Sequence, residues 1–171
     1  MKILILQGSP RAKGNTAWMT EVFKNSAEAA GHEVTVVRVA RKKIAGCIAC
    51  EYCHTKGNGT CVQKDDMQEL YPLIYEAEMI VLASPIYYFG LSAQIVAPIQ
   101  RIYNVDKPNK VKMMALLLSS YSPDVYDGAI WQYKSICEWW NAENVGIVTA
   151  MNDEQKTDET RLKVLDIVKS L

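Results

Sequence analysis

The sequence predicts one α/β domain over residues 1–171, with a five-stranded parallel sheet in the order 2-1-3-4-5 and helices on both faces. Short apolar runs alternate with longer amphipathic stretches five times along the chain, which is typical of successive βα units. The apolar runs show no alternation with polar residues, as expected of parallel strands covered on both faces. The chain has 171 residues, and 49 % of them are hydrophobic, which suits one domain with a sizeable core.

The predicted elements follow in order from the first residues. Residues 2–6 form the first strand, and a helix over 16–30 ends before Gly31, a normal residue at the end of a helix. The β-branched residues of 34–39 predict the second strand. The remaining predicted strands are 79–84, 111–118 and 145–150, and the remaining predicted helices are 67–76, 92–103, 129–140 and 157–171.

Composition argues against several classes of partner. Lys plus Arg and Asp plus Glu number 19 each, and no basic stripe stands out, so we expect no nucleic-acid partner. No run approaches the ~18 apolar residues of a membrane span, and the first apolar run is too short for a secretory signal. We therefore expect a soluble, cytoplasmic protein without a membrane partner.

The segment between the first predicted strand and the first predicted helix has the composition of an anion-binding loop. Its glycines let the backbone approach a ligand closely, and a helix N-terminus favours an anion. The loop lacks the lysine of a nucleoside-triphosphate loop, so a single terminal phosphate suits it better; the alternative is a plain turn with a capping Asn or Thr. The candidate phosphate ligands are Ser9, Arg11, Asn15 and Thr16.

A group of aromatic residues follows the third predicted strand. The stretch begins with the rigid Pro85, contains Tyr87 and Phe89, and ends at the permissive Gly90. A flat heteroaromatic ring could lie along it, although core aromatics at a helix entry would give the same pattern. This loop and the phosphate loop would be neighbours where the strand order reverses, so a mononucleotide such as FMN fits both.

Four of the five cysteines are crowded into fifteen residues: Cys47, Cys50, Cys53 and Cys61. Without a secretory signal, such crowding favours metal, cluster or redox chemistry over disulfides. Thiolates bind both iron-sulfur clusters and structural zinc. A cluster, a zinc ion and four reduced thiols in a flavin-side or interface loop all remain open from the spacing alone.

Three stretches carry a resemblance to a known family: "ILILQGSPRAKGNT", "GCIACEYCHTKGNGTCVQKDDMQELY" and "ASPIYYFGLSAQ". They are similar to the flavodoxin-like NAD(P)H-dependent FMN reductases, especially the iron-sulfur flavoprotein branch. The resemblance implies a flavodoxin-like three-layer sandwich and a homodimer or higher homo-oligomer with the flavin near the subunit interface. It also implies a [4Fe-4S] cluster on the four cysteines. The implied FMN contacts are Ser9, Arg11, Asn15 and Thr16 for the phosphate, and Pro85, Ile86, Tyr87, Phe89 and Gly90 for the ring.

The expected function is that of an FMN-dependent oxidoreductase. Electrons would pass from NAD(P)H to a small acceptor (a quinone, a flavin, an azo or nitro compound) or to a redox protein. Because the cofactor carries the chemistry, we expect no catalytic side chain. The alternatives are an iron-sulfur flavoprotein that carries single electrons and a non-catalytic module in which a bound metal holds the cysteine loop together. The third predicted helix carries Val96 and Gln100-Arg101 where the family often has Lys and Asp-Arg, and we assign these positions no role.

Overall fold

The computed structural model describes residues 1–171, apart from the side chain of Asp153. Strands and helices alternate along the chain, and short 3-10 helices follow several of them. The strands are β1 (Lys2–Gln7), β2 (Glu33–Val37), β3 (Met79–Tyr87), β4 (Gly90–Leu91), β5 (Met113–Ser120) and β6 (Glu143–Met151). The helices are α1 (Asn15–Ala29), α2 (Met67–Glu76), α3 (Ala93–Arg101), α4 (Asp127–Trp140) and α5 (Asp158–Lys169).

The main sheet has the predicted topology. Its order is β2-β1-β3-β5-β6, and every neighbouring pair in that path is parallel. This is the order 2-1-3-4-5 expected for the five long strands, and the flavodoxin-like fold class is confirmed. The sixth strand, β4, was not predicted because it has only two residues, which pair antiparallel with the end of β3.

Helices cover both faces of the sheet because successive strand residues point to opposite sides. On one face, Leu4 and Leu6 of β1 join a core cluster with residues of α2, α3 and α4. On the other face, Ile3 and Ile5 join a second cluster with residues of α1 and α5. The strand interior is therefore apolar on both sides, which explains why it appears in the sequence as a continuous hydrophobic run.

Two element boundaries differ from the predictions in ways that affect the site. The third strand extends to Tyr87, because Pro85 pairs in register with Ser119 of β5 and Ile86 pairs with Leu91 of β4. The ring-binding stretch therefore starts on a strand and not in a loop. The third helix ends at Arg101 and continues as a 3-10 helix over Ile102–Val105.

None of the helices that the structure describes is both long enough and apolar enough to cross a bilayer.

Gly8 lies where α3 presses on the end of β1, and a side chain there should be costly. A Cβ at Gly8 would lie 2.4 Å from Ile95 Cγ1 and 2.5 Å from Ser92 Oγ. We expect Gly8→Ala to lower the free energy of unfolding by ~1–3 kcal/mol, the usual cost of overpacking. Urea denaturation followed by circular dichroism measures it.

Two variants control this experiment. Gly90→Ala should be nearly neutral, since its Cβ would lie 3.8 Å from the Tyr87 carbonyl oxygen, an ordinary van der Waals contact. Gly8→Ala combined with Ile95→Ala should lose less stability than the sum of the two single changes, because the smaller side chain relieves the contact. Simple additivity in that double variant would contradict the explanation.

Candidate functional site

A cleft of about 630 Å³ opens at the carboxyl ends of the parallel strands. Its volume lies within the ~300–1,000 Å³ typical of ligand and cofactor pockets. The carboxyl ends of β3 and β5 and the segments that follow β1, β5 and β6 contribute to its wall. Seven of the nine predicted flavin contacts line it: Ser9, Arg11, Asn15, Thr16, Pro85, Ile86 and Tyr87.

One end of the cleft combines a helix N-terminus with two cationic side chains. Gly14 precedes α1 in extended backbone, and among the described side chains none caps this helix N-terminus. The N–H groups of the first turn and their partial positive charge are therefore available to a ligand. Arg11 and Lys13, both exposed, line the same end and add two positive charges.

The Thr16 side chain does not cap the N-terminus of α1 but contacts a residue of another strand. Its hydroxyl is buried and lies 2.7 Å from the hydroxyl of Ser119, at the end of β5. Thr20 Oγ1 donates to the Thr16 carbonyl at 3.0 Å. Thr16 therefore joins the phosphate loop to the end of β5 at the wall of the cleft, and the capping role considered from the sequence is not seen.

The aromatic stretch forms a tight hairpin between β3 and β4. Tyr87 pairs with Gly90, so Tyr88 and Phe89 make a two-residue turn, with φ of 46° and 65°. Positive φ at both turn residues is the geometry that matches strand twist in hairpins. It is uncommon for residues other than Gly, Asn and Asp.

This turn determines where the predicted ring contacts Phe89 and Gly90 lie. Phe89 is 60 % exposed, and neither residue lines the cleft. The reason is the turn itself, which places Phe89 at the hairpin tip beside the first turn of α4, where a Cβ on Gly128 would meet the Phe89 carbonyl at 2.5 Å. Tyr87 is the last residue of the hairpin that reaches the cleft.

Seven residues that line the cleft were not among the contacts predicted from the sequence. The Gln155 amide donates to the carbonyl oxygens of Ser120 and Ala150, and it thereby ties the segment after β6 to the end of β5. Their positions in the sequence could have indicated them, because each of these segments follows the end of a predicted strand. The additional lining residues are Lys13, Gly14, Ser119, Ser120, Tyr121, Asn152 and Gln155.

The cysteine segment, residues 44–65, lies mostly in irregular backbone. Ala49, Glu51 and Asn58 have positive φ, and Gly59 N–H donates to the Cys53 carbonyl at 2.9 Å. Cys47 and Cys50 are exposed, whereas Cys53 and Cys61 are partly buried, and all four are free thiols. Burial raises the pKa of the Cys53 thiol.

The chemistry of these thiols suits a metal or cluster, but their arrangement in this structure does not form a coordination site. Among the side chains that the structure describes, no three Cys, His, Asp or Glu come together as a metal-binding group. A four-thiolate site requires all its sulfurs around one centre. The four predicted ligands, Cys47, Cys50, Cys53 and Cys61, are therefore not arranged around one centre in this structure.

Comparison with known proteins finds flavin-dependent proteins similar to this chain. A family model described as NADPH-dependent FMN reductase matches residues 1–156. A protein of Archaeoglobus fulgidus described as an iron-sulfur flavoprotein is 41 % identical over 102 residues, which are 60 % of this chain and 46 % of that protein. The chain thus matches about half the length of this relative.

Solved structures share the fold along nearly the whole chain. RosB, solved with 8-demethyl-8-formylriboflavin-5'-phosphate, superimposes with a TM-score of 0.82 at 16 % identity, covering 99 % of this chain and 76 % of RosB. An azoreductase from Bacillus anthracis gives a TM-score of 0.75 at 16 % identity, with 99 % and 98 % covered. At these identities the likeness shows the fold.

Proposed function

The chain belongs to the family of NADPH-dependent FMN reductases, and we propose from this that it binds FMN in the cleft and acts as an oxidoreductase. It would take electrons from NAD(P)H and pass them to a small acceptor such as a quinone, a flavin, or an azo or nitro compound, or to a redox protein. The observation that carries the proposal is the cleft itself, which joins an anion-binding end to an aromatic end.

The phosphate end fits the terminal phosphate of a mononucleotide. Arg11 offers a charged donor, and Ser9 and Thr16 offer buried hydroxyls beside the uncapped N-terminus of α1. Charge-assisted hydrogen bonds of this kind are stronger than neutral ones. A triphosphate-binding loop has a lysine directly after its last glycine, and here Asn15 follows Gly14. The loop therefore suits a monophosphate better than a triphosphate.

The ring end fits a flat heteroaromatic system. Pro85, Ile86 and Tyr87 present the last residues of β3 along the cleft. Tyr121, which is 85 % exposed, lies on the wall contributed by the segment after β5. When bound, FMN supplies the hydride and electron transfer, and the chain's own part is to hold the ring and leave it accessible.

We also propose a homodimer that works in the cytoplasm. Six aromatic side chains are more than half exposed, and exposed apolar patches commonly mark interaction surfaces. Five free cysteines suit a reducing compartment. The exposed aromatics are Tyr87, Tyr88, Phe89, Tyr121, Trp131 and Trp139.

The proposed dimer can be tested by static light scattering, which should report twice the mass of one chain. A monomer would contradict the dimer.

A second candidate function is that of an iron-sulfur flavoprotein that exchanges electrons with a protein partner. It is supported by the description of the Archaeoglobus relative and by the four free thiols of the cysteine segment. Because the thiols do not converge in this structure, the cluster would require a rearrangement of this segment.

The FMN site can be tested by removing two phosphate contacts together. Arg11→Gln with Thr16→Val should weaken FMN binding strongly, since hydrogen bonds to charged groups contribute ~1.5–3 kcal/mol each. Fluorescence titration of FMN measures the affinity. Arg41→Gln, an exposed residue that does not line the cleft, should bind like the unmodified protein. An unchanged affinity in the double variant would overturn the assigned site.

Mixing the FMN-loaded protein with NADH or NADPH under argon distinguishes a reductase from an electron carrier that depends on a protein partner. An enzyme of this type should lose the visible absorbance of its oxidised flavin rapidly, without any added protein. Stopped-flow spectroscopy measures the rate. Absorbance that persists until a redox protein is added would contradict the reductase and favour the carrier.

The cluster can be tested by anaerobic purification followed by iron and sulfide analysis. Equimolar iron and sulfide would support the cluster, and Cys50→Ser should then lower both. Cys137→Ser is the matched control, because Cys137 is buried in α4, outside the cysteine segment. Protein that was never exposed to air and contains neither element would reject the second candidate.

A further inference from the structure

One buried side chain of α3 holds both ends of the cysteine segment. Arg101 Nη1 donates to the Ala45 carbonyl at 3.0 Å and to Asp65 Oδ2 at 2.7 Å, while Nη2 donates to Asp65 Oδ1 at 3.2 Å. Asp65 Oδ2 also accepts from the Ala45 backbone N–H at 3.0 Å. Only 1 % of the Arg101 side chain is exposed. A guanidinium and a carboxylate thus close the segment into a loop at its base.

This attachment depends on the shape of arginine as well as on its charge. The planar guanidinium presents a fork of donors that matches the two carboxylate oxygens of Asp65. A lysine would offer one compact ammonium and could not reproduce the three bonds. Because a buried guanidinium is costly to leave unpaired, the native loop is strongly preferred over one that has moved away.

The residues that follow Arg101 make further attachments to the middle of the segment. Asn104 Nδ2 donates to the Gly59 carbonyl at 2.6 Å, and His54 Nε2 lies 2.8 Å from the Tyr103 carbonyl oxygen. The Tyr103 hydroxyl donates to Glu51 at 2.9 Å. The cysteine segment is therefore carried by the carboxyl end of α3 and the turn after it.

The opposite end of α3 lies beside the strand ends that border the cleft. Ser92, which precedes the helix, donates from its backbone N–H to Ser84 Oγ at 2.9 Å and from its Oγ to the Gly8 carbonyl at 3.3 Å. Ser84 and Gly8 are the chain neighbours of the lining residues Pro85 and Ser9. The helix has nine residues, so at ~1.5 Å per residue it spans roughly 14 Å. One short helix thus joins the two chemically distinctive parts of the molecule.

We infer that Arg101 is a positioning residue: it fixes the cysteine segment, and with it Cys53 and Cys61, to the helix that begins beside the strand ends that border the cleft. The attachments are made by the chain alone, so the inference does not depend on whether FMN or a cluster binds. Arg101 Nε and Asn104 Oδ1 are also buried without a hydrogen-bond partner among the described residues.

Thiol labelling of the intact protein tests this role. With Ellman's reagent and mass spectrometry of the labelled peptides, Cys53 and Cys61 should react at least about ten-fold faster in Arg101→Lys, the factor expected from losing one charge-assisted hydrogen bond. Cys137, 5 % exposed in α4, is an internal reporter of global opening and should keep its rate. Arg41→Lys is the matched surface control.

The outcomes separate a positioning role from a merely structural one. Unchanged rates at Cys53 and Cys61 would overturn the inference, and so would a rise at Cys137 in the same proportion. Should Arg101→Lys not fold, Asp65→Asn removes the same fork from the other side. Tryptic cleavage of the native protein after Lys56, an exposed residue of the segment, should also accelerate in that variant, and an unchanged cleavage rate would contradict the inference.

A second measurement relates the inference to the proposed cofactors. FMN affinity, measured by fluorescence titration, should stay the same in Arg101→Lys, because Arg101 does not line the cleft. A weakened FMN affinity would show that the change disturbs more than the cysteine segment and would count against the positioning role. If the unmodified protein binds no iron, the second candidate function fails, and the labelling rates still decide the role of Arg101.

Discussion

Parallel pairing of β1 with β3 is the constraint on which the site depends. The pairing runs from Ile3 with Met79 to Gln7 with Ala83, and Gly8 N–H continues it by donating to the Ala83 carbonyl at 2.8 Å. The phosphate loop and the aromatic hairpin therefore begin side by side at one edge of the sheet. Since α1 covers one face and α3 the other, the chain diverges there and leaves the cleft between the two loops.

Helix α3, which begins beside the strand ends that border the cleft, supports the cysteine segment at its other end. Its start requires the absence of a side chain at Gly8, and its end requires the buried pairing of Arg101 with Asp65. A buried ion pair is weak evidence for stability, because desolvation offsets much of the attraction. Its value here is geometric, since the three bonds of the guanidinium select one position of the loop.

The mouth of the cleft combines backbone strain with exposed aromatic surface. Tyr88 and Phe89 adopt positive φ although neither is glycine, and conformations of this kind persist only where the surrounding structure imposes them. The pairing of Tyr87 with Gly90 and the contact of the tip with α4 do so here. The backbone that carries the aromatic side chains next to the cleft is consequently held in one conformation.

The sequence by itself determined the fold class, the strand order and half of the residues that line the cleft, because buried parallel strands and the segments after them are local patterns. Ser9, Arg11 and Thr16 could be named since they lie within a few residues of one strand end. Only the tertiary structure decided that Phe89 turns away, that Ser119 meets Thr16, and that the four cysteines do not converge. It also revealed Arg101, which acts on residues 36 and 56 positions away. These facts depend on contacts between distant parts of the chain, which follow from packing and not from local spacing.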